Sequence, residues 1–492
     1  MTFAELIHGL DVSDVKGPMD AEILDLSSDS REIGPGWAFV ALQGGSVDGA
    51  SFIPKAVGQG AVAVLSESPA KVPEGVAFAR IAQGRWTMAA AAKRLFGAPD
   101  EKLALIGVTG TNGKTTTTTI IRQLLRSAGI GCGLIGTVAN AAGDLEEEAV
   151  RTTPESPEFY RWLRRSLKAG DRASAVEVSS HALVLGRVAE ARFKVGVFTN
   201  LTQDHLDFHG DMESYFQAKL SLFAQSGKIL INADDPYGNR ALREGDFAWA
   251  SFAIDRPACY RASDLRLGTT GSWFTLHTAK GSWPLESPLL GRFNAYNLLA
   301  ALAAIVEAGF DLAEILPSLS KISGAPGRIE RIDCGQPFGV MVDYAHTPDA
   351  LEKLLAEGRR MLPPGGRLHV LFGCGGDRDR TKRPLMAAAV ASGADIIWHT
   401  SDNPRSEDPE LILDDAAPGI PESIRRDPNR YHRDANRAEM VRQALSHCHP
   451  GDLFLLAGKG HEPYQEIQGV KHPYSDRKAV EAVLCAQGGQ PC

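Results

Sequence analysis

Short apolar runs alternate with helical patterns through the middle of the chain. The runs at 103–109, 173–178, 195–199 and 228–232 have the length and continuity of strands buried on both faces. A helical pattern at 115–128 follows the first of them. Because parallel strands need long crossover connections, usually helical, this alternation predicts a parallel sheet wound with helices.

Two smaller blocks flank this middle part. The first combines apolar runs at 37–42 and 61–65 with a helical pattern at 85–96, and it predicts a small α/β unit that ends at Pro99. The last block repeats the alternation, with predicted strands at 340–343, 368–372, 395–400 and 453–457. We therefore expect an α/β protein of three domains, at 1–99, 100–326 and 327–492.

Polar loops follow the predicted strands of the second and third blocks. Ligands of open parallel sheets bind beyond the carboxyl ends of the strands, so these loops are the expected binding sites. The middle block predicts a parallel-sheet domain, and the last block predicts a Rossmann-like domain.

Composition narrows the class of protein. The 492 residues carry 52 Lys and Arg against 60 Asp and Glu, a formal net charge of −8, with no block of basic residues. This balance does not indicate a nucleic-acid-binding protein. No run of 18 apolar residues predicts a membrane span, and the first ten residues lack the pattern of a secretory signal. The seven scattered cysteines include no C-x-x-C pair, so we expect no disulfide framework and a cytoplasmic location.

A glycine-rich segment joins the strand at 103–109 to the helix at 115–128. Backbone N–H groups in such a loop and at the helix N-terminus can face phosphate oxygens. We expect Lys114 to reach the β- and γ-phosphates of a nucleotide and the Thr115 hydroxyl to hold Mg²⁺. Val108 stands where the usual motif has its first glycine, and a ligand-free turn is the alternative interpretation. The candidate ATP-binding residues are Gly110, Thr111, Asn112, Gly113, Lys114, Thr115 and Thr116.

The segment 107–116 resembles the ATP-binding loop of the Mur ligase family, whose members build the cytoplasmic precursor of peptidoglycan. The resemblance covers essentially the whole chain. It implies a UDP-sugar-binding domain at 1–99, a central ATPase domain with a P-loop at 100–326 and an amino-acid-binding domain at 327–492.

The same resemblance implies a metal site. It makes Glu177 and His205 metal-site residues, together with Thr115, and it matches Lys219 to a lysine that the family carbamylates. Mg²⁺ prefers oxygen ligands, and a carbamate is an anionic oxygen donor whereas an ammonium group repels the ion. Without the resemblance, Lys219 would be an ordinary lysine of an amphipathic helix. The expected catalytic residues are Lys114, Glu177, His205 and Lys219.

The resemblance assigns further nucleotide contacts in three short motifs. Asn294 is expected near the adenine, Arg328 lies in a motif whose arginine contacts ATP, and Asp343 has a supporting place near the nucleotide with His346. Taken alone, Asn294 would be a polar residue at a helix start.

A third group of residues matches the family's contacts to UDP-N-acetylmuramoyl-dipeptide. They are Ser30, Thr152, Thr153, Ser179 and Arg187. The chain departs from the pattern at Leu185, where relatives often have glutamine, and an apolar side chain cannot replace the hydrogen bond of an amide.

The loop 402–405 resembles the segment that binds meso-2,6-diaminopimelate. Arg405 could grip the distal carboxylate of this amino acid with two parallel hydrogen bonds. Lysine lacks that carboxylate and would leave the arginine unpaired, so the site should favour diaminopimelate over lysine. Glu462 could accept from the distal ammonium. The expected diaminopimelate-binding residues are Arg378, Asp402, Asn403, Pro404, Arg405, Gly458 and Glu462.

These assignments imply an ATP-dependent ligase that adds meso-diaminopimelate to UDP-N-acetylmuramoyl-L-alanyl-D-glutamate through an acyl phosphate. The expected cofactor is Mg²⁺, the partners are these small molecules with ATP, and the expected state is a monomer. The first alternative is a ligase of the same family that adds L-lysine. A folylpolyglutamate synthase would have no reason to carry the loop 402–405. Nucleotide-gated switch proteins usually carry Asn-Lys-x-Asp, which is missing after the loop, and an inactive scaffold is the remaining alternative.

Overall fold

The computed structural model describes residues 1–44, 47–245, 249–268 and 270–486. The chain forms two compact units. The first unit is Met1–Tyr260 with Ala300–Pro317, and the second is Arg261–Leu299 with Ser318–Cys492.

The first unit contains two sheets flanked by helices. Its strands are β1 (Val12–Lys16), β2 (Asp25–Ser27), β3 (Trp37–Ala41), β4 (Ala61–Ser66), β5 (Ala77–Ile81), β6 (Ala104–Thr109), β7 (Cys132–Ile135), β8 (Ala139–Ala142), β9 (Leu145–Glu148), β10 (Ala173–Glu177), β11 (Phe193–Phe198), β12 (Ser226–Asn232) and β13 (Trp249–Ala253). Its helices are α1 (Phe3–Ile7), α2 (Ile53–Gly58), α3 (Gly84–Leu95), α4 (Lys114–Ser127), α5 (Ser156–Lys168), α6 (Ser180–Val184), α7 (Leu206–His209), α8 (Met212–Leu220) and α9 (Pro236–Glu244). The boundary between the units falls within α10 (Arg292–Glu307), and α11 (Leu312–Ile315) returns to the first unit.

The N-terminal sheet has the order β1-β5-β4-β3-β2, with only β1 antiparallel to its neighbour. Most apolar side chains of β3 and β4 are buried, on both faces of the sheet, as the continuous runs at 37–42 and 61–65 predict, and Trp37 and Val62 are partly exposed. The larger sheet of the first unit runs β13-β12-β11-β6-β10-β7 in parallel, and the antiparallel strands β8 and β9 follow at its edge. The predicted parallel sheet is therefore confirmed.

The second unit has one six-stranded sheet, a three-stranded antiparallel ribbon and a hairpin. Its strands are β14 (Tyr260–Leu267), β15 (Ser272–Thr278), β16 (Gly281–Ser287), β17 (Glu330–Arg331), β18 (Gly339–Asp343), β19 (Leu368–Phe372), β20 (Ile396–His399), β21 (Tyr431–Arg433), β22 (Leu453–Ala457), β23 (Tyr464–Ile467) and β24 (Val470–Pro473). Its helices are α12 (Pro348–Met361), α13 (Lys382–Gly393), α14 (Pro409–Ala416), α15 (Glu422–Arg425), α16 (Arg437–His447) and α17 (Asp476–Ala486).

The six-stranded sheet has the order β17-β18-β22-β19-β20-β21, and every pair except β17 with β18 is parallel. Its two faces are covered by separate apolar clusters, one around Leu351 and Val390, the other around Val441 and Val480. All four strands predicted in the last block are present, with bounds that differ by at most one residue. The carboxyl ends of β18, β19, β20 and β22 meet at one edge, so the loops after them are neighbours.

The ribbon β14–β16 and the hairpin β23–β24 were not predicted from the sequence. Their strands alternate apolar and polar residues or are mostly exposed, so they lack the continuous apolar runs of the parallel strands. Within the described residues, none of the helices is both long and apolar enough to cross a membrane. The domain boundaries at 99 and 326 stay a prediction.

Candidate functional site

The phosphate-binding loop predicted at 110–116 connects β6 to the N-terminus of α4 in the first unit. Gly110 and Gly113 have φ angles of 144° and 88°, in the region that favours glycine. A Cβ atom on Gly110 would lie 1.9 Å from Thr199 Oγ1, so the backbone passes too close to β11 for any side chain. Backbone N–H groups at the N-terminus of a helix point along its axis, so the start of α4 suits an anion.

The segment after β11 holds this loop in place. Asn200 accepts from the N–H of Thr111 at 2.9 Å through its carbonyl oxygen and from the N–H of Asn112 at 2.9 Å through its side chain. The N–H of Thr202 donates to Thr111 Oγ1 at 3.0 Å. These bonds order the loop without a ligand, and such preorganisation lowers the entropy cost of binding.

Two lysines converge on the same loop carbonyl. Lys114 Nζ and Lys219 Nζ each donate to Gly110 O at 2.8 Å. Lys219 belongs to α8 and is 1% exposed, and its Nζ lies 4.5 Å from the centre of the Tyr215 ring. Burial lowers the pKa of Lys219 well below its usual 10.5, and the positive charge of Lys114 adds to this shift. The side chain is therefore suited to remain a neutral amine.

Glu177 ends β10 and is the carboxylate nearest to the start of α4 among the predicted residues. Its Oε2 accepts from Thr115 Oγ1 at 2.8 Å, and Thr137 donates its N–H to Oε1 at 2.7 Å. Burial raises the pKa of this carboxyl, an effect that the Thr137 N–H and the charge of Lys114 oppose. The sequence did not single out Thr137, because nothing in a lone threonine after a short strand signals a ligand.

The Thr115 hydroxyl and the Glu177 carboxylate form a hard oxygen pair that fits Mg²⁺. Within the described residues, no group of three or more His, Cys, Asp and Glu side chains could hold an ion. A shell around this pair would therefore draw on other donors, such as phosphate oxygens, water or a carbamate on Lys219.

His205 lies apart from this pair. It precedes α7 with a left-handed φ of 51°, and its half-exposed side chain packs edge-on against the ring of His181 at 4.8 Å. No hydrogen bond or ion pair joins it to Thr115, Glu177 or Lys219 in the part of the chain that the structure describes. Its expected role at the metal stays a prediction.

Three of the residues predicted to bind the UDP-linked dipeptide are hydrogen-bonded to Glu177 or to a residue that contacts it. Thr137 Oγ1 lies 3.0 Å from Glu177 Oε2 and 3.1 Å from Thr152 Oγ1. Thr153 Oγ1 donates to the backbone carbonyl of Glu177 at 2.7 Å and accepts from the N–H of Ser179 at 3.1 Å. A hydrogen-bonded path thus runs from the start of α4 to three of the predicted dipeptide contacts.

Arg187 is held by a carboxylate that the sequence analysis did not select. Its Nε donates to Glu155 Oε1 at 2.9 Å, and Arg85 binds the other carboxylate oxygen at 2.5 Å. Glu155 and Arg85 also line a cavity of about 470 Å³ that includes Ser30. Leu185 directly follows α6 and is half-buried, and its apolar side chain offers no hydrogen bond.

The remaining nucleotide candidates lie in or at the edge of the second unit. Asn294 is buried in the first turn of α10 and donates to Leu290 O at 2.9 Å. Arg328 lies over the Tyr344 ring at 4.9 Å, next to the end of β18. Asp343 accepts from the N–H groups of Ile329 and Ala345, both at 2.8 Å, and burial raises its pKa while Arg328 lowers it. His346 is exposed, and it contacts Tyr344 through a hydrogen bond to the carbonyl at 2.7 Å and a T-shaped ring contact at 4.7 Å.

The loops after β19 and β20 are fastened to each other in the second unit. The N–H of Gly376 donates to Asn403 O at 2.9 Å, and Arg405 Nη1 donates to Gly376 O at 2.7 Å. A Cβ atom on Gly376 would lie 1.9 Å from Pro404 O, so only glycine permits this approach. Arg378, on the first of these loops, is exposed.

Arg405 has a left-handed φ of 53°, which is rare for a residue with a side chain. The hairpin β23–β24 stabilises this conformation, because Arg405 donates its N–H to Glu466 O at 2.9 Å and accepts from Gln468 N at 2.6 Å. Its Nε lies 3.5 Å from Glu466 Oε2. The hairpin that sequence reasoning missed therefore aims the arginine of the predicted amino-acid site.

A buried lysine joins the loops after β20 and β22. Lys459 is 0% exposed, and its Nζ lies 3.1 Å from Asn403 Oδ1, 3.2 Å from Glu462 Oε2 and 3.5 Å from Asp402 Oδ1. Burial raises the pKa of Asp402, and Lys459 opposes that shift. A Cβ atom on Gly458 would lie 3.1 Å from Asp402 Oδ2, so this glycine makes room for the cluster. Four of the six residues predicted in these two loops are brought together here, namely Asp402, Asn403, Gly458 and Glu462.

Two buried arginines hold the loops of the predicted amino-acid site by donating to their backbone carbonyls. Arg437 forms a fully buried ion pair with Asp476 and donates to Ser401 O at 3.3 Å and Ala457 O at 3.0 Å. These carbonyls directly precede Asp402 and Gly458. Arg383 binds both oxygens of Glu407 and donates to Gly375 O at 3.2 Å. Both arginines lie in helical patterns, where the sequence gives no sign of burial.

Three family models match the chain. Residues 22–102 match the Mur ligase family catalytic domain, residues 108–305 match the Mur ligase middle domain, and residues 327–460 match the Mur ligase glutamate ligase domain.

Full-length relatives share this arrangement. A protein of Nostoc sp. named UDP-N-acetylmuramoyl-L-alanyl-D-glutamate–2,6-diaminopimelate ligase is 42% identical, over 98% of this chain and 99% of its own. A solved structure of a ligase with the same name has 35% identity and a TM-score of 0.75, covering 99% of both chains. The MurF ligase from Thermotoga maritima in complex with ADP has a TM-score of 0.59 at 17% identity, with 94% of this chain and 98% of that chain covered, which is a likeness of fold. The chain has the three-domain α/β architecture of these proteins.

Proposed function

The chain belongs to the Mur ligase family, and we propose that it joins meso-2,6-diaminopimelate to UDP-N-acetylmuramoyl-L-alanyl-D-glutamate at the expense of ATP. The observation that carries this proposal is the hydrogen-bonded path from the phosphate loop to the dipeptide residues. Thr115, Glu177 and Thr137 link the start of α4 to Thr152. A γ-phosphate at the loop and a carboxylate acceptor near Thr152 would thus be neighbours, as phosphoryl transfer requires.

The reaction needs two steps. The D-glutamyl carboxylate oxygen attacks the γ-phosphorus, and the bond from this phosphorus to the β-phosphate oxygen breaks. ADP leaves, and the D-glutamyl carboxylate has become an acyl phosphate. The amine of diaminopimelate then attacks the acyl carbon and gives a tetrahedral intermediate, which loses phosphate and a proton to form the amide. Lys114 and the N–H groups of the loop 110–116 would bind the phosphate oxygens and counter the charge that develops there.

Thr115 and Glu177 would hold Mg²⁺, and His205 would complete the metal site after local rearrangement. The bound ion supplies neutralisation of the phosphate charge. We assign a carbamate to Lys219, because a buried neutral amine can attack the carbon of CO₂, forming an N–C bond and releasing one proton. The low pKa that burial gives Lys219 favours this step.

The substrate contacts follow from the surroundings of each residue. Ser30, Thr152, Thr153, Ser179 and Arg187 would hold the UDP-linked dipeptide, in part within the cavity of about 470 Å³. Asn294, Arg328 and Asp343 would bind the rest of ATP. We expect a monomer in the cytoplasm, where the precursors of this reaction are made.

The amino-acid site favours diaminopimelate over lysine. Arg405 is 23% exposed and could pair with the distal carboxylate, and Glu462 could accept from the distal ammonium beside it. Asp402, Asn403, Pro404 and Gly458 shape the same site, and Arg378 would close over the substrate from the exposed loop after β19. Lysine has no distal carboxylate, so it would leave Arg405 paired with Glu466 alone and without the substrate carboxylate.

The direct test measures phosphate release and product mass together. Purified protein receives ATP, Mg²⁺ and UDP-N-acetylmuramoyl-L-alanyl-D-glutamate, with either meso-diaminopimelate or L-lysine. We expect a product with diaminopimelate and at least a hundredfold lower kcat/KM with lysine. The variant Lys114→Met and a reaction without dipeptide are the controls for background ATP hydrolysis. Equal use of lysine would disprove the assigned specificity, and no product with either amino acid would disprove the ligase.

A further inference from the structure

We propose that Lys459 is a positioning residue of the amino-acid site, which sets Asn403 and Glu462 so that Glu462 presents one carboxylate oxygen to an ammonium group of the amino-acid substrate. This inference rests on the proposed function, because it concerns how the same site recognises its amino acid.

Lys459 does not face the substrate. Its side chain is 0% exposed, between glycines 458 and 460, and its Nζ is surrounded by protein oxygens. A group without any accessible surface cannot bind an incoming amino acid directly. Whatever Lys459 contributes to recognition must therefore pass through the residues that it touches.

The amide of Asn403 is oriented by three contacts. Its Oδ1 accepts from Lys459 Nζ at 3.1 Å and from the N–H of Glu466 at 2.9 Å, and its Nδ2 donates to Glu462 Oε2 at 2.8 Å. Both donors on the oxygen side demand the same orientation of the amide. Without the lysine, the amide would be held only by the N–H of Glu466 and by its own bond to Glu462, which is itself held by Lys459.

Glu462 is held through one of its two carboxylate oxygens. Lys459 Nζ at 3.2 Å and Asn403 Nδ2 at 2.8 Å both contact Oε2. Among the described contacts of Glu462, none involves Oε1, so this oxygen is the one available to a substrate. An ammonium group at Oε1 would pair with a carboxylate whose position is already set, which limits the entropy lost on binding.

Charge balance gives Lys459 a second effect on the site. Asp402 and Glu462 both lie within 3.5 Å of its Nζ, and they are the two carboxylates of the cluster. Removal of the cation would leave two carboxylates close together in a largely buried place, where like charges repel strongly. Glu462 would then be expected to swing outward, which weakens its hold on an ammonium group.

The test is a double-mutant cycle with Lys459→Met and Glu462→Gln, read as KM and kcat for all three substrates. Each single variant should raise the KM for diaminopimelate about tenfold to a hundredfold. The KM values for ATP and the dipeptide should stay within about threefold. The double variant should be no worse than the worse single variant, because both changes remove the same interaction. Lys459→Arg should restore part of the affinity.

Lys471→Met is the matched control. Both lysines lie near the Tyr464 ring, Lys459 Nζ at 5.9 Å and Lys471 Nζ at 4.1 Å from its centre, but Lys471 is exposed. It should leave all constants unchanged. Additive effects in the cycle, or a parallel rise of all three KM values, would overturn the positioning role. If Lys459→Met unfolds, the double variant, which keeps the charge balanced, and Lys459→Arg still decide the question. A wild-type enzyme that makes no diaminopimelate product would instead disprove the proposed function.

Discussion

Lys219 in the first unit and Lys459 in the second are both buried lysines whose amino groups contact loops that follow parallel strands, yet their surroundings are opposite. Lys219 donates to one backbone carbonyl and shares it with the amine of Lys114. Lys459 is surrounded by the carboxylates of Asp402 and Glu462 and the amide of Asn403. The same residue type thus contacts a backbone carbonyl at one site, with only the more distant charge of Asp204 opposing its loss of a proton, and contacts two carboxylates at the other.

The difference teaches how burial assigns chemistry to a lysine. An ammonium group taken out of water without an anion loses its proton readily, and the resulting amine is a nucleophile. For Lys219 this favours reaction with CO₂. A lysine between two carboxylates is instead suited to hold them in place, because it is a compact charge with three donors. We therefore expect chemical reactivity at Lys219 and positioning at Lys459.

The largest effect should come from Lys219→Ala. We expect ligase turnover to fall by about a thousandfold, because the variant removes an anionic donor from the phosphoryl-transfer site. Added acetate should restore part of the rate by supplying a carboxylate in the vacated space. Lys228→Ala, which removes an exposed lysine paired with Glu307, should leave the rate within about twofold. A normal rate in Lys219→Ala would refute the carbamate, and with it the contrast between the two lysines.

A smaller effect, confined to one substrate, is expected for Arg405→Ala. The loss of a bidentate partner should raise the KM for diaminopimelate about a hundredfold and leave the KM for ATP nearly unchanged. Arg405→Lys should recover little, because an ammonium cannot reproduce the planar pair of donors. Arg426→Ala, at an exposed arginine of the same unit, serves as the control. A rise in the KM for ATP of similar size would contradict the assignment of Arg405 to the amino acid.

The smallest effect concerns stability and pH. The folded pKa of Lys219 lies below its ordinary value of 10.5. Between these two values the unfolded chain binds a proton that the folded chain does not, so this lysine makes the free energy of unfolding rise with pH, by about 1.4 kcal/mol per pH unit within that window. The contribution is lost again as the pH falls through the folded pKa.

The measurement compares Tm for the wild type and Lys219→Met from pH 7 to 9.5 in buffers freed of CO₂. The wild type should gain stability relative to the variant as the pH rises, since the other titrating groups are common to both proteins. A constant difference across this range would mean that Lys219 keeps its proton in the folded state.

Much of the fold could be predicted from the sequence because parallel strands buried on both faces leave continuous apolar runs. The predicted strands at 340–343 and 453–457 appear as β18 and β22 with almost the same bounds. The exposed hairpin β23–β24 leaves no such run, and its role in holding Arg405 could not be seen. The ribbon β14–β16 was missed because its alternating pattern is weaker.

For the candidate site, the structure brings together some of the residues that the sequence singles out, and their roles stay predictions. Thr115 and Glu177 were expected to share a cation site, and they lie in hydrogen-bonding contact. Thr137 and Glu155 were missed because a single threonine or glutamate carries no motif. The sequence singles out Gly458 and Glu462 but not Lys459, which lies between them. Burial makes Lys459 the centre of a charged cluster, and burial cannot be seen in a five-residue segment.

The sequence by itself determined the parallel strands that are buried on both faces, the glycine-rich loop before α4 and the loops that we propose carry the chemistry. These are local properties, since hydrophobic period, glycine position and motif spacing are written in adjacent residues. Only the tertiary structure decided which charges meet. The sequence does not reveal how the surroundings of Lys219 and Lys459 differ, because key contacts are distant along the chain. Gly110 lies 109 positions from Lys219, and Asp402 lies 57 positions from Lys459, although Glu462 is only three positions away. The protonation and role of a buried group depend on those distant neighbours, through desolvation and Coulomb interaction.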